Sequence, residues 1–93
     1  MTRREDTKRI STQEIRVYLA LSRNGWSTSA QLATAAEVSR RTAQTHVRRL
    51  AAHGLAERRE LSPAYLYRRA QNHPLSDYAQ RLLGAAEAVG AAG

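Results

Sequence analysis

Arginine residues recur as neighbouring pairs along the middle of this chain, at Arg40–Arg41, Arg48–Arg49, Arg58–Arg59 and Arg68–Arg69. A guanidinium group donates paired hydrogen bonds to phosphate oxygens, or to the O6 and N7 atoms of guanine. The whole chain has 93 residues and a formal net charge of +7. This balance predicts a polyanionic partner, with nucleic acid favoured over an anionic membrane surface.

The segment VSRRTAQTHVRRL predicts the helix that presents most of these charges. Ser39 is a suitable N-cap, and Gly54 is a suitable stop, which bounds the helix at residues 39–53. One face is apolar, because Ala43, Val47 and Leu50 follow a helical spacing. The opposite face is polar and basic and carries Arg40, Arg41, Gln44, Thr45, Arg48 and Arg49.

Two shorter helices are expected before this one. The segment STQE is a capping-box pattern in which Ser11 is the N-cap and Glu14 stands at N3, and Gly25 offers a stop. Thr28 or Ser29 then caps a short second helix. Residues 1–10 are charged and aperiodic, with basic side chains at Arg3, Arg4, Lys8 and Arg9, and are expected to form a flexible basic arm.

A hairpin and a last helix are expected after the basic helix. The segments LAERREL and YLYRRA flank an SPA turn, which predicts two strands within residues 55–70. The chain then divides into a domain at 11–73 and a C-terminal helix at 74–93 whose end frays. This helix has a broad apolar face formed by Leu75, Tyr78, Ala79, Leu82, Leu83, Ala86 and Val89.

The order of these elements resembles a winged helix-turn-helix, and the sequence is similar to MarR-like and ArsR-like bacterial regulators. The resemblance rests on the segment AQLATAAEVSRRTAQTHVRRLAAHGLAERREL, at Leu32, Ala33, Val38, Ser39, Val47, Leu50, Gly54 and Leu55. It implies a mainly α fold with a small β-hairpin wing. It also implies a transcriptional regulator of duplex DNA that dimerises through terminal helices.

A recognition helix enters the major groove with its N-terminal residues nearest the base edges. Base readout is therefore expected from Arg40, Arg41, Gln44 and Thr45. Phosphate or wing contacts are expected from Ser39, Thr42, His46, Arg48, Arg49, Arg58, Arg59, Arg68 and Arg69. The alternative is a solvated basic face, with some arginines paired to Glu37, Glu57 or Glu60.

Three features have both a structural and a functional interpretation. The C-terminal helix either packs on the first helix or pairs two chains, and a homodimer through Leu75, Tyr78, Leu82, Leu83 and Val89 is favoured over a monomer. Trp26 is interpreted as a lid over the first helix. His46, His53 and His73 are candidate metal ligands, but no cysteine or carboxylate completes a set, so no metal site is expected.

Several classes of function receive no support from the sequence. The chain contains no cysteine, so disulfides and thiol chemistry are excluded. No catalytic pattern is present, and the chain is too short for a sheltered effector pocket, so neither an enzyme, a cofactor nor a small-molecule ligand is expected. No apolar run is long enough to span a membrane, and the N-terminus lacks a secretory pattern, so a cytoplasmic protein is expected.

Three functional hypotheses remain. The first is a sequence-specific DNA-binding regulator that represses by occupying an operator. The second is an accessory DNA-binding factor of a plasmid, phage or conjugative element, acting in partition, excision or replication control. The third is a winged helix that binds another protein, and it predicts no salt-sensitive affinity for DNA.

Overall fold

The structure is a computed structural model that describes residues 10–72 and 76–92, with the side chains of 90–92 left out. The predictions for the basic arm therefore lie outside the described residues, apart from Ile10. Those for His73 and Leu75 also lie outside them.

Four helices and one antiparallel hairpin make up the described part of the chain. The helices are α1 (Thr12–Arg23), α2 (Ser29–Ala36), α3 (Arg40–Ala52) and α4 (Asp77–Ala92). The hairpin joins β1 (Ala56–Leu61) to β2 (Ala64–Arg69) and is called the wing below. This architecture confirms the prediction of a mainly α winged helix-turn-helix followed by a C-terminal helix.

The starts of the first three helices follow from their caps. Ser11 and Glu14 form a reciprocal capping box at α1, and Thr28 and Gln31 form a second one at α2. At α3 the Ser39 hydroxyl accepts the Thr42 backbone N–H at 3.0 Å. Each cap satisfies backbone donors that the first turn of a helix leaves without a partner.

The turn between α2 and α3 contains a left-handed residue. Glu37 has a φ of 60°, and the next N–H, of Val38, donates to the Ala33 carbonyl at 3.0 Å. This backbone reverses the chain within three residues, so α3 crosses α2 directly after the turn. Gly54 has a φ of 79° where the chain leaves α3 for the wing, a conformation that glycine adopts without steric cost.

The apolar faces of all four helices meet in one core. Its largest fully buried side chains include Leu21, Leu32, Leu50 and Leu55. The wing is joined to this core by backbone hydrogen bonds: Ser27 and Tyr67 exchange two, each at 2.8 Å. The segment before α2 therefore acts as a one-residue third strand and fixes the base of the wing.

The C-terminal helix completes this core by packing against α1. Leu82 is fully buried within one chain, and Tyr78 is half-buried against α1 and α3. The prediction of a dimer contact at Leu82 is therefore corrected, because the core of the single chain already buries this side chain, whereas the contact at Tyr78 stays a prediction. Leu83 is also partly buried, whereas Val89 remains 47% exposed.

Candidate nucleic-acid interface

The outward face of α3 presents unpaired cationic and amide side chains. Arg40, Arg41, Thr45 and Arg48 are exposed, and Gln44 is partly exposed. No carboxylate lies within ion-pair distance of Arg40, Arg41 or Arg48 among the described residues. The sequence allowed either an external anion or ion pairs with nearby glutamates as the partners of this face. The ion pair with Glu37 is not observed. The guanidinium groups remain available to an external anion.

Three other predicted contact residues of α3 are more engaged with the protein itself. The Ser39 hydroxyl donates to the Thr42 hydroxyl at 2.8 Å, in addition to its capping bond. His46 is partly buried, and its Nδ1 atom is buried without a hydrogen-bond partner. Ser39 and Thr42 therefore stabilise the start of α3, and His46 lies at the edge of the exposed face.

One open cleft brings α3, the start of α2 and the wing together. Its walls include Ser29, Arg40, Gln44, Arg48, Tyr65 and Tyr67. A neighbouring cleft, between the second half of α3 and β1, has an alanine floor and is flanked by Arg48 and Arg58. Arg48 and Tyr67 line both clefts, so they stand at the junction between the helix and the wing.

The wing separates its two arginine pairs onto opposite faces. Side chains alternate along a strand, and Arg58 pairs with Tyr67 in the register, so Arg58, Tyr67 and Arg69 share the face that borders α3. The Arg58 guanidinium also lies 4.7 Å from the centroid of the Tyr65 ring. The other members of the pairs point away from α3.

On that opposite face, Arg59 and Arg68 stack on Trp26, at 4.7 and 4.6 Å from the ring centroid. Arg68 also donates from Nε to Glu57 at 2.8 Å. These contacts correct the interpretation of Trp26 as a lid over the first helix, because its half-buried ring packs against two arginines of the wing. The structure therefore does not bring Arg59 and Arg68 together with the residues of α3.

Arg49 also points away from the cleft, into a cluster that joins α1, α3 and α4. Its Nη1 atom lies 3.7 Å from the Glu14 carboxylate, which is only 2% exposed. The Tyr78 hydroxyl donates to the same carboxylate at 2.7 Å, and His53 stacks on the Tyr78 ring at 4.2 Å. Burial, followed by the hydrogen bond to Glu14, raises the pKa of Tyr78 well above its ordinary value.

The segment that contains α1, α2, α3 and the wing is matched by a family model. The family model described as the sugar-specific transcriptional regulator TrmB matches residues 9–71, which is more than half of the chain. The chain belongs to the TrmB family of transcriptional regulators. The matched residues begin three positions before α1 and end two positions after the wing, so they contain every element that borders the cleft.

The fold is also similar to that of a solved MarR family transcription regulator, with a TM-score of 0.65 at 19% sequence identity. The similarity covers 92% of this chain and 55% of that one, so the chain spans about half the length of the solved regulator. No curated protein matches the chain. None of the helices within the described ranges is long and apolar enough to cross a membrane.

One part of the site was missed from the sequence: the start of α2 was not assigned to the interface, although it lines the cleft beside Arg48. For Tyr65 and Tyr67 the sequence left two alternatives open, a hydrogen bond from one of them to a phosphate and packing against the body of the domain, and both tyrosines line the cleft. The alternation of Tyr65 and Tyr67 in the wing was the available signal, because both side chains had to share one face. The Ser27–Tyr67 bridge determines whether this face of the wing turns towards α3. That bridge joins residues forty positions apart, so the local sequence does not reveal it.

Proposed function

We propose that this TrmB family chain is a sequence-specific duplex-DNA-binding regulator that represses transcription by occupying an operator. The protein would act in the cytoplasm, without enzymatic activity. One observation carries the proposal: Arg40 and Arg48 of α3 and Arg58 of the wing border two adjoining clefts, which share Arg48 and Tyr67. Arginines without a carboxylate partner lie here on two elements that meet, which suits a polyanion that contacts both elements.

The positions of the predicted contact residues support three different roles: contacts to base edges, contacts to phosphates and positioning of the wing. Arg40, Arg41, Gln44 and Thr45 lie in the first half of α3, where a helix inserted into the major groove reaches base edges. Arg48, Arg58 and Arg69 are assigned to phosphates. Arg59 and Arg68 would act indirectly, because their stacking on Trp26 holds the wing at its angle.

We further propose that two chains pair and that each reads one half-site of a symmetric operator. The exposed side of α4, which includes Val89 and part of Leu83, is the proposed contact. Two-fold pairing would place two α3 helices on one side of the duplex, about one helical turn apart.

A fluorescence-anisotropy titration tests the proposal. Duplex DNA from upstream of the chain's own gene is compared with random duplex at several salt concentrations. We expect tighter binding to the upstream DNA, with an affinity that falls steeply as salt rises. Equal affinity for both duplexes would favour an accessory DNA-binding role, and no binding at low salt would overturn the DNA proposal.

The variant Arg40→Ala sharpens this test, with Arg16→Ala as the matched control. Arg16 is an exposed arginine on α1. We expect Arg40→Ala to weaken binding to the preferred sequence by about 1–3 kcal/mol and to relax selectivity at one base pair. An equal loss on all sequences would instead identify Arg40 as a phosphate contact.

A further inference from the structure

We infer that the cleft between α3 and the wing binds one phosphodiester of the DNA backbone, and that the Tyr67 hydroxyl is a neutral donor to it. This inference rests on the proposed function and adds to it a specific site. The ligand is a single backbone phosphate, the start of α2 was not among the predicted contacts, and the open choice between Tyr65 and Tyr67 is made in favour of Tyr67.

The geometry of duplex DNA gives the first reason. The major and minor grooves are separated everywhere by one sugar-phosphate strand. A protein that places a helix in the major groove and a wing along the adjacent minor groove must therefore seat that strand between them. In this chain the space between helix and wing is the cleft that Arg48 and Tyr67 line.

Tyr67 itself gives the second reason. The residue is only 4% exposed, yet its hydroxyl has no hydrogen-bond partner among the described residues. The hydroxyl is not one of the buried side-chain atoms without a partner, so it reaches the solvent of the cleft, where a phosphate oxygen can replace water as its acceptor. The backbone of Tyr67 is fixed by its two bonds to Ser27, which hold the side chain in the wall of the cleft.

The start of α2 gives the third reason. The Thr28 capping box satisfies the N–H of Gln31, and the N–H of Leu32 donates to the Thr28 carbonyl. The N–H groups of Ser29 and Ala30 are left without partners in the first turn, at the positive end of the helix dipole. Both residues line the cleft, so two backbone donors, the Tyr67 hydroxyl and the Arg48 guanidinium border one space.

The variant Tyr67→Phe tests the hydroxyl, with Tyr18→Phe as the matched control. The Tyr18 hydroxyl is buried without a partner on α1, so its removal should leave DNA binding unchanged. We expect Tyr67→Phe to lower affinity about tenfold on preferred and random duplex alike, which is the effect of one hydrogen bond to a charged acceptor. Unchanged affinity in a folded Tyr67→Phe protein would overturn the inference.

The salt dependence of DNA affinity distinguishes the contribution of the neutral Tyr67 hydroxyl from that of the charged Arg48 guanidinium. A hydroxyl releases no counterion, so Tyr67→Phe should leave the slope of log affinity against log salt unchanged. Arg48→Gln should reduce the magnitude of that slope by about 1, because one phosphate is no longer neutralised. A reduced slope in Tyr67→Phe would show that the substitution displaces arginines, and it would also overturn the assignment.

Duplexes with a single methylphosphonate locate the phosphate. One modified position should weaken the parent protein more than it weakens Tyr67→Phe, because the variant has already lost the hydroxyl contact and retains only those of Arg48 and the backbone, which is the non-additivity of direct partners. Additive losses at every position would overturn the inference while leaving DNA binding itself intact. If the parent protein bound no DNA, the proposed function would fail first, and the phosphate site would fail with it.

Discussion

Glu14 shows how one side chain serves both a helix and the tertiary structure. Its carboxylate accepts the Ser11 backbone N–H at 3.2 Å and the Tyr78 hydroxyl at 2.7 Å, while Arg49 lies 3.7 Å away. A carboxylate with 2% exposure needs such partners, because burying a charge without them is costly. The cap of α1, the end of α3 and the start of α4 are therefore joined at one group.

The variant Tyr78→Phe is expected to destabilise the protein by about 1–3 kcal/mol, since a buried charged acceptor loses a donor. Urea denaturation at neutral pH measures this change. Tyr18→Phe is the control, because the Tyr18 hydroxyl is buried with no partner and its removal should cost nothing. Equal losses in the two variants would mean that the Glu14 hydrogen bond contributes no stability.

The same tyrosine predicts an alkaline limit to stability. The pKa of Tyr78 is raised in the folded state above the ordinary value of 10.0, so the folded protein holds this proton more tightly than the unfolded chain does. Its contribution is therefore fully present below pH 10 and is lost progressively as the pH rises above it. Tyr78→Phe should show a smaller fall in unfolding free energy over that alkaline range than the parent does.

At the scale of elements, the turn between α2 and α3 carries a local cost. Glu37 adopts the left-handed region, which costs a non-glycine residue about 1–2 kcal/mol. Its side chain is exposed and makes no hydrogen bond or ion pair within the described ranges. We expect Glu37→Gly to stabilise the protein by about 1 kcal/mol, which raises the melting temperature by about 4–8 °C.

Ala35→Gly is the matched control for this turn. Ala35 is an exposed residue inside α2, where glycine should destabilise by about 1 kcal/mol. Thermal unfolding followed by circular dichroism measures both variants. A lower melting temperature in Glu37→Gly would show that the Glu37 side chain contributes an interaction larger than the backbone strain.

The start of a helix was predictable from the sequence where it depends on interactions between residues close together in the chain. Caps were recognisable because each acts on residues within three positions: the structure confirms Ser11 and Ser39, and of the two candidates Thr28 and Ser29 it has Thr28 as the cap. The role of Trp26 was not recognisable in this way. Its partners Arg59 and Arg68 lie more than thirty residues further along the chain and reach it only once the wing has docked.

The same distinction between local and distant interactions applies to the side chains of the candidate site. The helical spacing of Ala43, Val47 and Leu50 determined which face of α3 is exposed, so the outward positions of Arg40 and Arg48 followed from the sequence. The direction of Arg49 did not follow, because it depends on Glu14 and on Tyr78 from α4. Periodicity predicts the face of a helix, but it does not predict which neighbour will cover part of that face.

At the scale of the whole molecule, positive charge is concentrated where helix and wing meet. The unpaired cations of α3 and the Arg58 face of the wing lie on one side of the molecule, whereas Arg49 lies beside a buried carboxylate and Arg68 beside Glu57. Among the described residues, Arg40, Arg41, Arg48 and Arg58 therefore give this surface an excess of positive charge. This asymmetry favours electrostatic steering of the proposed DNA contact.

The proposed pairing of two chains predicts different effects for two apolar residues of α4. Leu82 is fully buried within one chain, so Leu82→Ala should lower unfolding free energy by about 2–5 kcal/mol at every protein concentration. Val89 is 47% exposed, so Val89→Asp should leave the fold of the single chain intact. It should nevertheless prevent dimerisation, because it places a charge in an apolar contact.

Sedimentation velocity at micromolar concentrations distinguishes these effects. We expect the parent protein to sediment as a dimer, and Val89→Asp to sediment as a monomer with an unchanged far-ultraviolet spectrum. Val89→Asp should still bind a single half-site, but it should lose the added affinity of a symmetric operator, because two linked half-sites bind with a high effective concentration. A monomeric parent protein that binds one half-site as tightly as two would overturn the proposed pairing while leaving the DNA contact of α3 and the wing in place.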